Sequence, residues 1–291
     1  MAVPIIKEFS NEPGLRRKEI KRDSAVINYL VQGSGATTLL FVHGSYIDQT
    51  YWMDQVIYFR SKYKVVTIDL PGHGKSGRER TNWSVRGFAE DLNEVIRSLA
   101  LENIILIGHS LAGDINLMAA SSHPGPIIGF IGIDNFKNAA TPLPPEYQQQ
   151  AIAIQQKLKT DFANTNERYA RMALLTPLTP AEITDRVVND YRNACQLMGI
   201  ATTPEMFNLY QTEKELLPKL PLKLHLINVD YMPTNEEALK QYSVNGYEIL
   251  HMNGTCHFPM LESPLELNKL LEKLVLTILF QDRQRARIYQ L

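Results

Sequence analysis

The segment Ile107 to Gly113 reads IGHSLAG; it closes the apolar run Asn103 to Ile107 and leads into the apolar-rich stretch Asp114 to Ala120. A serine set among small residues between a strand and a helix is the pattern of a nucleophile elbow. Such a serine sits on a sharp turn with strained backbone angles, so the positions two before and two after it must be small for strand and helix to approach. Here they are Gly108 and Ala112. The turn lifts the Ser110 hydroxyl out of the sheet and leaves the next N–H, that of Leu111, at the positive end of the helix, where it can hold an oxyanion. The pattern departs from G-x-S-x-G by one methyl group, because Gly113 comes one place late.

On either side of this segment, short apolar runs bounded by turn residues recur at Thr37 to Val42, Lys64 to Asp69, Ile127 to Ile133, Leu222 to Val229 and Tyr247 to Leu250. They read as buried strands. Helical patterns lie between them, clearest from Ser84 to Leu101, where Val85, Phe88, Leu92, Val95, Ile96 and Leu99 recur at helical spacing behind a Ser84 N-cap. Strand and helix in alternation predict an α/β fold, a mostly parallel sheet with helices on both faces. Between Lys137 and Leu217 the alternation stops, leaving Pro-bounded amphipathic stretches without a strand. This reads as a helical cap, residues 137–217, inserted into a core formed by 1–136 and 218–291. Ser263, Pro264 and Glu266 announce a last helix.

Three more features stand where an acyl-transfer site on such a sheet would need them. His43-Gly44-Ser45 ends the Thr37 to Val42 strand, so the chain can turn back over the sheet and offer the Ser45 N–H as second oxyanion donor, with His43 bracing the loop. His257 lies in a loop between the final strand and the final helix, where an imidazole can reach a serine while being oriented from behind. Asp230 ends the Leu222 to Val229 strand and can aim a carboxylate at that imidazole. Asp134, ending the neighbouring strand, is its rival; both obey the chain order serine, acid, histidine, and Asp230 is the preferred acid.

Together, FVHGS (Phe41 to Ser45), DLPGHGKS (Asp69 to Ser76), GHSLAG (Gly108 to Gly113), the strand ending in Asp230 and CHFPMLESP (Cys256 to Pro264) give the chain a resemblance to the α/β-hydrolase superfamily, from about Ala25 to Phe280 outside the cap. The resemblance implies Ser110 as nucleophile, Asp230 as acid, His257 as base, and the N–H groups of Ser45 and Leu111 as oxyanion hole. No histidine, cysteine and carboxylate cluster has zinc-ligand spacing, and neither metal nor organic cofactor is expected. The chain departs from it in placing Cys256 before the histidine and the polar Asp114 early in the helix after the nucleophile. Dehalogenases and epoxide hydrolases of this architecture attack with aspartate, and Ser110 argues against both. The expectation is a carboxylesterase-like serine hydrolase; a carbon–carbon bond hydrolase, an acyltransferase and a ligand-binding sensor are the alternatives.

Composition agrees with a small-molecule enzyme. Of 291 residues, 30 are lysine or arginine and 31 aspartate or glutamate, so the net charge of −1 leaves no basic excess for nucleic acid. The basic run Arg16, Arg17, Lys18 and the arginines at 283, 285 and 287 read as solvated ends. Cys195 and Cys256 are too few for a disulfide scaffold, and no stretch has the length of a membrane span, so a soluble cytoplasmic protein is expected. GHGKS, Gly72 to Ser76, ends like a P-loop but has Asp69 where that loop needs glycine. Aromatic and thioether side chains of the cap, among them Phe136, Tyr169, Met172, Tyr191, Met206 and Phe207, predict an apolar roof over Ser110, with Trp52 and Met260 adding to its walls and a small, largely apolar substrate beneath.

Overall fold

The apolar runs form one eight-stranded sheet in the computed structural model, which describes residues 18–22 and 24–288. Its strands are β1 (Lys18–Arg22), β2 (Ala25–Gln32), β3 (Thr38–Val42), β4 (Lys64–Ile68), β5 (Ile104–His109), β6 (Ile127–Ile133), β7 (Leu224–Val229) and β8 (Tyr247–Met252). In space they run β1-β2-β4-β3-β5-β6-β7-β8. β2 is antiparallel to both β1 and β4, and every pairing from β4 to β8 is parallel. The central strands β3 and β5 are buried along their whole length, as expected where helices cover both faces of a parallel sheet. The hairpin β1-β2 is the part of the sheet that the sequence reading does not foresee. β1, KEIKR, carries the charges that suit an exposed edge, and they hide its strand character.

The helices are α1 (Met53–Phe59), α2 (Val85–Ser98), α3 (Ala112–Ser122), α4 (Pro145–Thr160), α5 (Phe162–Tyr169), α6 (Ala181–Arg192), α7 (Gln196–Met206), α8 (Tyr210–Leu216), α9 (Glu236–Tyr242), α10 (Pro259–Glu262) and α11 (Pro264–Ile288). Ser84 caps α2 as expected, its hydroxyl accepting the Gly87 N–H at 2.9 Å, a bond whose loss typically costs about 1 kcal/mol. The buried face of α2 is Val85, Phe88, Leu92, Val95 and Ile96, and it packs on α3.

Helices α4 to α8 occupy the interval between β6 and β7, and among the described residues no strand interrupts them. α7 packs on α2 and α8 on α3, which brings this helical layer over the C-terminal ends of the parallel strands. Between α5 and α6 the backbone forms a π-helical turn, Ala170–Leu174. Among the described residues no helix is long and apolar enough to cross a membrane. Arg16, Arg17 and the Arg287 side chain lie outside the described residues.

Candidate active site

Ser110 follows β5 with φ of 54°, in the left-handed region that L-residues rarely adopt. Its N–H donates to the Ile133 carbonyl at 3.0 Å, tying the turn to the neighbouring strand. The close approach that demands Gly108 is visible here: a Cβ on it would stand 2.5 Å from Asn116 Nδ2 and 2.6 Å from the Ala112 carbonyl oxygen. Gly44 is equally constrained, since a Cβ there would meet the Ser110 Cβ at 2.9 Å. The loop after β3 thus passes directly over the serine. His43 braces that loop: Nδ1–H donates to the Gly44 carbonyl at 2.8 Å, while Nε2 accepts the Leu70 N–H at 3.0 Å. Burial lowers its pKa and keeps it neutral.

Ser45 and Leu111 flank the serine, and among the described residues neither backbone N–H has a hydrogen-bond partner. Leu111 is the residue from which α3 starts, so its N–H lies at the positive end of the helix. Ser45 lines the same cavity as Ser110.

His257 is held from three sides. Its N–H donates to the carbonyl of Leu174 in the π-helical turn at 3.0 Å. Its carbonyl accepts from Nε2 of His109 at 2.7 Å. Its Nδ1 meets Asp134 Oδ2 at 2.5 Å. His109, whose pKa burial pushes well below the ordinary value, is a neutral structural donor beside the serine.

The acid that meets His257 is therefore Asp134, and the expectation for Asp230 is corrected. β6 and β7 are parallel neighbours, so both carboxylates start from the same edge of the sheet. Backbone geometry separates them. Asp134 adopts φ of 48° and turns inward, where its Oδ1 also accepts the Val229 N–H at 3.2 Å. Asp230 is exposed and accepts the Gly254 N–H at 3.1 Å, which makes it a brace for the loop before His257.

Two residues that the sequence reading did not single out complete the surroundings. Lys137 Nζ lies 2.7 Å from Asp134 Oδ1, donates to the Val229 carbonyl at 2.9 Å and stands 4.2 Å from the centre of the Tyr231 ring. The Tyr231 hydroxyl is 3.3 Å from His257 Nδ1. Burial pushes the Asp134 carboxyl upward, but hydrogen bonding and charge from His257, then Lys137, outweigh it and hold the pKa below the ordinary value. Lys137, three residues beyond Asp134, is the one sequence signal that favours this acid: a lysine near a buried carboxylate can neutralise it.

A cavity of about 210 Å³ opens between sheet and helical layer, and Ser110, His257, Asp134 and Lys137 are among its lining residues. Ser45, Tyr46, Tyr169, Leu174, Tyr191, Met206 and Tyr231 form much of the rest. Several expected wall residues lie elsewhere. Trp52 and Met260 are core, Trp52 packing on Phe41 with ring centroids 5.2 Å apart. Phe136 is buried against Phe130, and Met172 is 72% exposed. Phe207 does not line the cavity. Cys256, where the superfamily resemblance would place glycine, is buried, and desolvation pushes its thiol up to about 12, so it stays protonated beside the imidazole loop.

Comparison with known proteins agrees with this fold. Residues 37–196 match the family model described as alpha/beta hydrolase fold. The chain is similar to 2-(acetamidomethylene)succinate hydrolase of Mesorhizobium japonicum, 30% identical over 119 residues that make up 41% of this chain and 42% of that protein. It is equally similar to fluoroacetate dehalogenase of a Burkholderia species, 30% identical over 42% of this chain and 41% of the relative. The match thus spans about two-fifths of the length of these curated relatives. Among solved structures, a thermophilic esterase from Thermogutta terrifontis superposes with a TM-score of 0.76 at 19% identity, covering 90% of this chain and 99% of that one. An N-acyl homoserine lactone degrading enzyme gives 0.75 at 23%, covering 88% and 99%.

Proposed function

Because the chain belongs to the α/β-hydrolase family and is an enzyme of it, we propose that it is a serine hydrolase cleaving an ester or related acyl bond of a small substrate. One observation carries the proposal: Asp134 occupies Nδ1 of His257 at 2.5 Å, in a cavity that Ser110 enters on a strained turn. With Nδ1 engaged, Nε2 is the nitrogen free to take a proton. Ser110 Oγ attacks the carbonyl carbon as its proton passes to His257 Nε2, and the oxyanion accepts from the N–H groups of Ser45 and Leu111. Collapse breaks the bond to the leaving group, which takes the proton from His257. Water, deprotonated by the same nitrogen, then attacks the acyl-serine; the acyl–Oγ bond breaks, Ser110 Oγ regains its proton from His257, and the acid leaves. Asp134 stabilises the imidazolium at each stage. Residues 137–217 act as the roof that limits the size of the substrate, over a core of 1–136 and 218–291.

A fluorophosphonate probe tests the reading, because it bonds only an activated serine. The parent protein is expected to label at Ser110 and to turn over short p-nitrophenyl esters, with Ser110→Ala abolishing the label and lowering turnover by on the order of 10⁴-fold or more. Labelling elsewhere, or near-parent turnover by folded Ser110→Ala, overturns it.

A further inference from the structure

Four tyrosines border the cavity: Tyr46, Tyr169, Tyr191 and Tyr231. Two are spoken for. The Tyr46 hydroxyl pairs with Thr203 Oγ1 at 3.0 Å, and that of Tyr231 with His257 at 3.3 Å. The other two are not: among the described residues, neither the Tyr169 nor the Tyr191 hydroxyl has a hydrogen-bond partner. Tyr191 is only 3% exposed, yet its oxygen is not among the fully enclosed polar atoms, so what exposure it keeps includes the hydroxyl. The rings are fixed, Tyr191 stacking on Tyr169 at 6.5 Å and meeting the edge of Tyr46 at 5.1 Å. A purely hydrocarbon ligand would cover both hydroxyls without satisfying them, an unfavourable exchange for water.

We infer that Tyr169 and Tyr191 bind an acceptor oxygen on the substrate, remote from the scissile bond, and that this oxygen belongs to a neutral carbonyl such as a ketone, amide or second ester. The inference rests on the acyl-hydrolase reading and sharpens it: the substrate is small and carries a polar tip. Burial raises both phenol pKa values, so both groups remain donors across the working range. Charge selects the neutral acceptor. Lys137 is the lysine lining the cavity, and its ammonium is already matched by Asp134 at 2.7 Å, leaving no surplus positive charge at the wall to offset a buried carboxylate.

The test compares three p-nitrophenyl esters of equal reach: 4-oxopentanoate, pentanoate and hemisuccinate. For the parent, kcat/KM on the oxo ester should exceed that on pentanoate by about 10- to 100-fold, as two neutral hydrogen bonds allow, and should exceed that on hemisuccinate. Tyr191→Phe and Tyr169→Phe, which keep the rings, should each cut the oxo-to-pentanoate ratio by about tenfold, whereas Tyr147→Phe, on an exposed residue of α4, should keep the parent ratio. A parent ratio near one, a preference for hemisuccinate, or an unchanged ratio in both variants overturns the inference while Ser110 labelling and pentanoate turnover leave the acyl-hydrolase reading standing. Loss of labelling and of all ester turnover in the parent overturns both.

Discussion

The Lys137 ammonium shares the Asp134 carboxylate with His257, holding Oδ1 at 2.7 Å while the imidazole holds Oδ2 at 2.5 Å. An acid whose charge is divided in this way stabilises an imidazolium less than an undivided one. Lys137→Met removes a charge and a hydrogen bond that help hold the Asp134 carboxyl below its ordinary range, so the acid limb of the kcat/KM profile should move toward higher pH. It should also cost about 1–3 kcal/mol of stability, since the Val229 carbonyl loses its buried donor. A pH–rate profile superimposable on that of the parent would show that the lysine is only a strut.

The choice between the two aspartates gives the next expectation. Asp134→Asn should lower ester turnover by about 10⁴-fold, whereas Asp230→Asn, in which a side-chain oxygen can still accept the Gly254 N–H, should retain most of it. Asp134 also leaves a signature in stability. Its pKa is depressed in the folded protein, so its contribution is present above the ordinary carboxylate range and is lost as pH falls through the folded value. Urea midpoints measured from pH 7 downward should accordingly fall less steeply for Asp134→Asn than for the parent. The reverse ranking of the two variants in turnover would return the acid role to Asp230.

The positions of Ser110 and His257 were legible because each depends on local grammar: small residues around a strand-to-helix turn, and a loop between a strand and a proline-started helix. Six of the eight strands were legible for a similar reason, their apolar runs being nearly continuous. The carboxylate that meets His257 was not, because β6 and β7 are parallel neighbours each followed by an aspartate, and apart from Lys137 what distinguishes the two is the φ of 48° at Asp134. Nothing in a run of residues announces a left-handed aspartate. The cavity wall was legible in kind but not in detail, since Met172 and Met206 look alike in sequence while one is 72% exposed and the other lines the cavity.

Asp114, the polar residue early in α3, lies beside Glu213 of α8, so the helix after Ser110 and a helix of the overlying layer meet through two carboxyl groups. Burial, then the charge of and hydrogen bond to Glu213, push Asp114 well above its ordinary 3.8. Burial likewise raises Glu213, which accepts the Ala140 N–H at 2.5 Å. Carboxyls with raised pKa values bind more protons folded than unfolded, so the pair favours folding at low pH and loses that contribution as pH rises toward the folded values. Asp114→Asn keeps a hydrogen bond to Glu213 and removes the second charge. It should raise Tm at pH 7–8 by roughly 2–4 °C for a gain of about 1 kcal/mol, with the difference shrinking below about pH 4. A Tm below that of the parent throughout this range would show that the two groups do not share a proton.

The wall of the cavity supplies the last expectation. Met206 at the end of α7 lines the cavity, and its sulfur accepts the Ser45 hydroxyl at 3.6 Å, so it touches the same loop whose N–H is proposed as an oxyanion donor. Truncation to alanine opens space beside Ser110 without removing a group that moves a proton. Met206→Ala should therefore raise the medium-to-short-chain ratio of kcat/KM on p-nitrophenyl esters by about 10-fold, the range that one or two methylenes can discriminate in an apolar pocket. Met172→Ala, on an exposed residue only two positions before the cavity-lining Leu174, should leave that ratio at the parent value. Equal shifts in the two variants would mean that the selectivity of the cavity arises from movement of the whole helical layer and not from its lining. A uniform fall on every ester in Met206→Ala, with a lowered Tm, would instead identify the methionine as packing that holds the Ser45 loop in place.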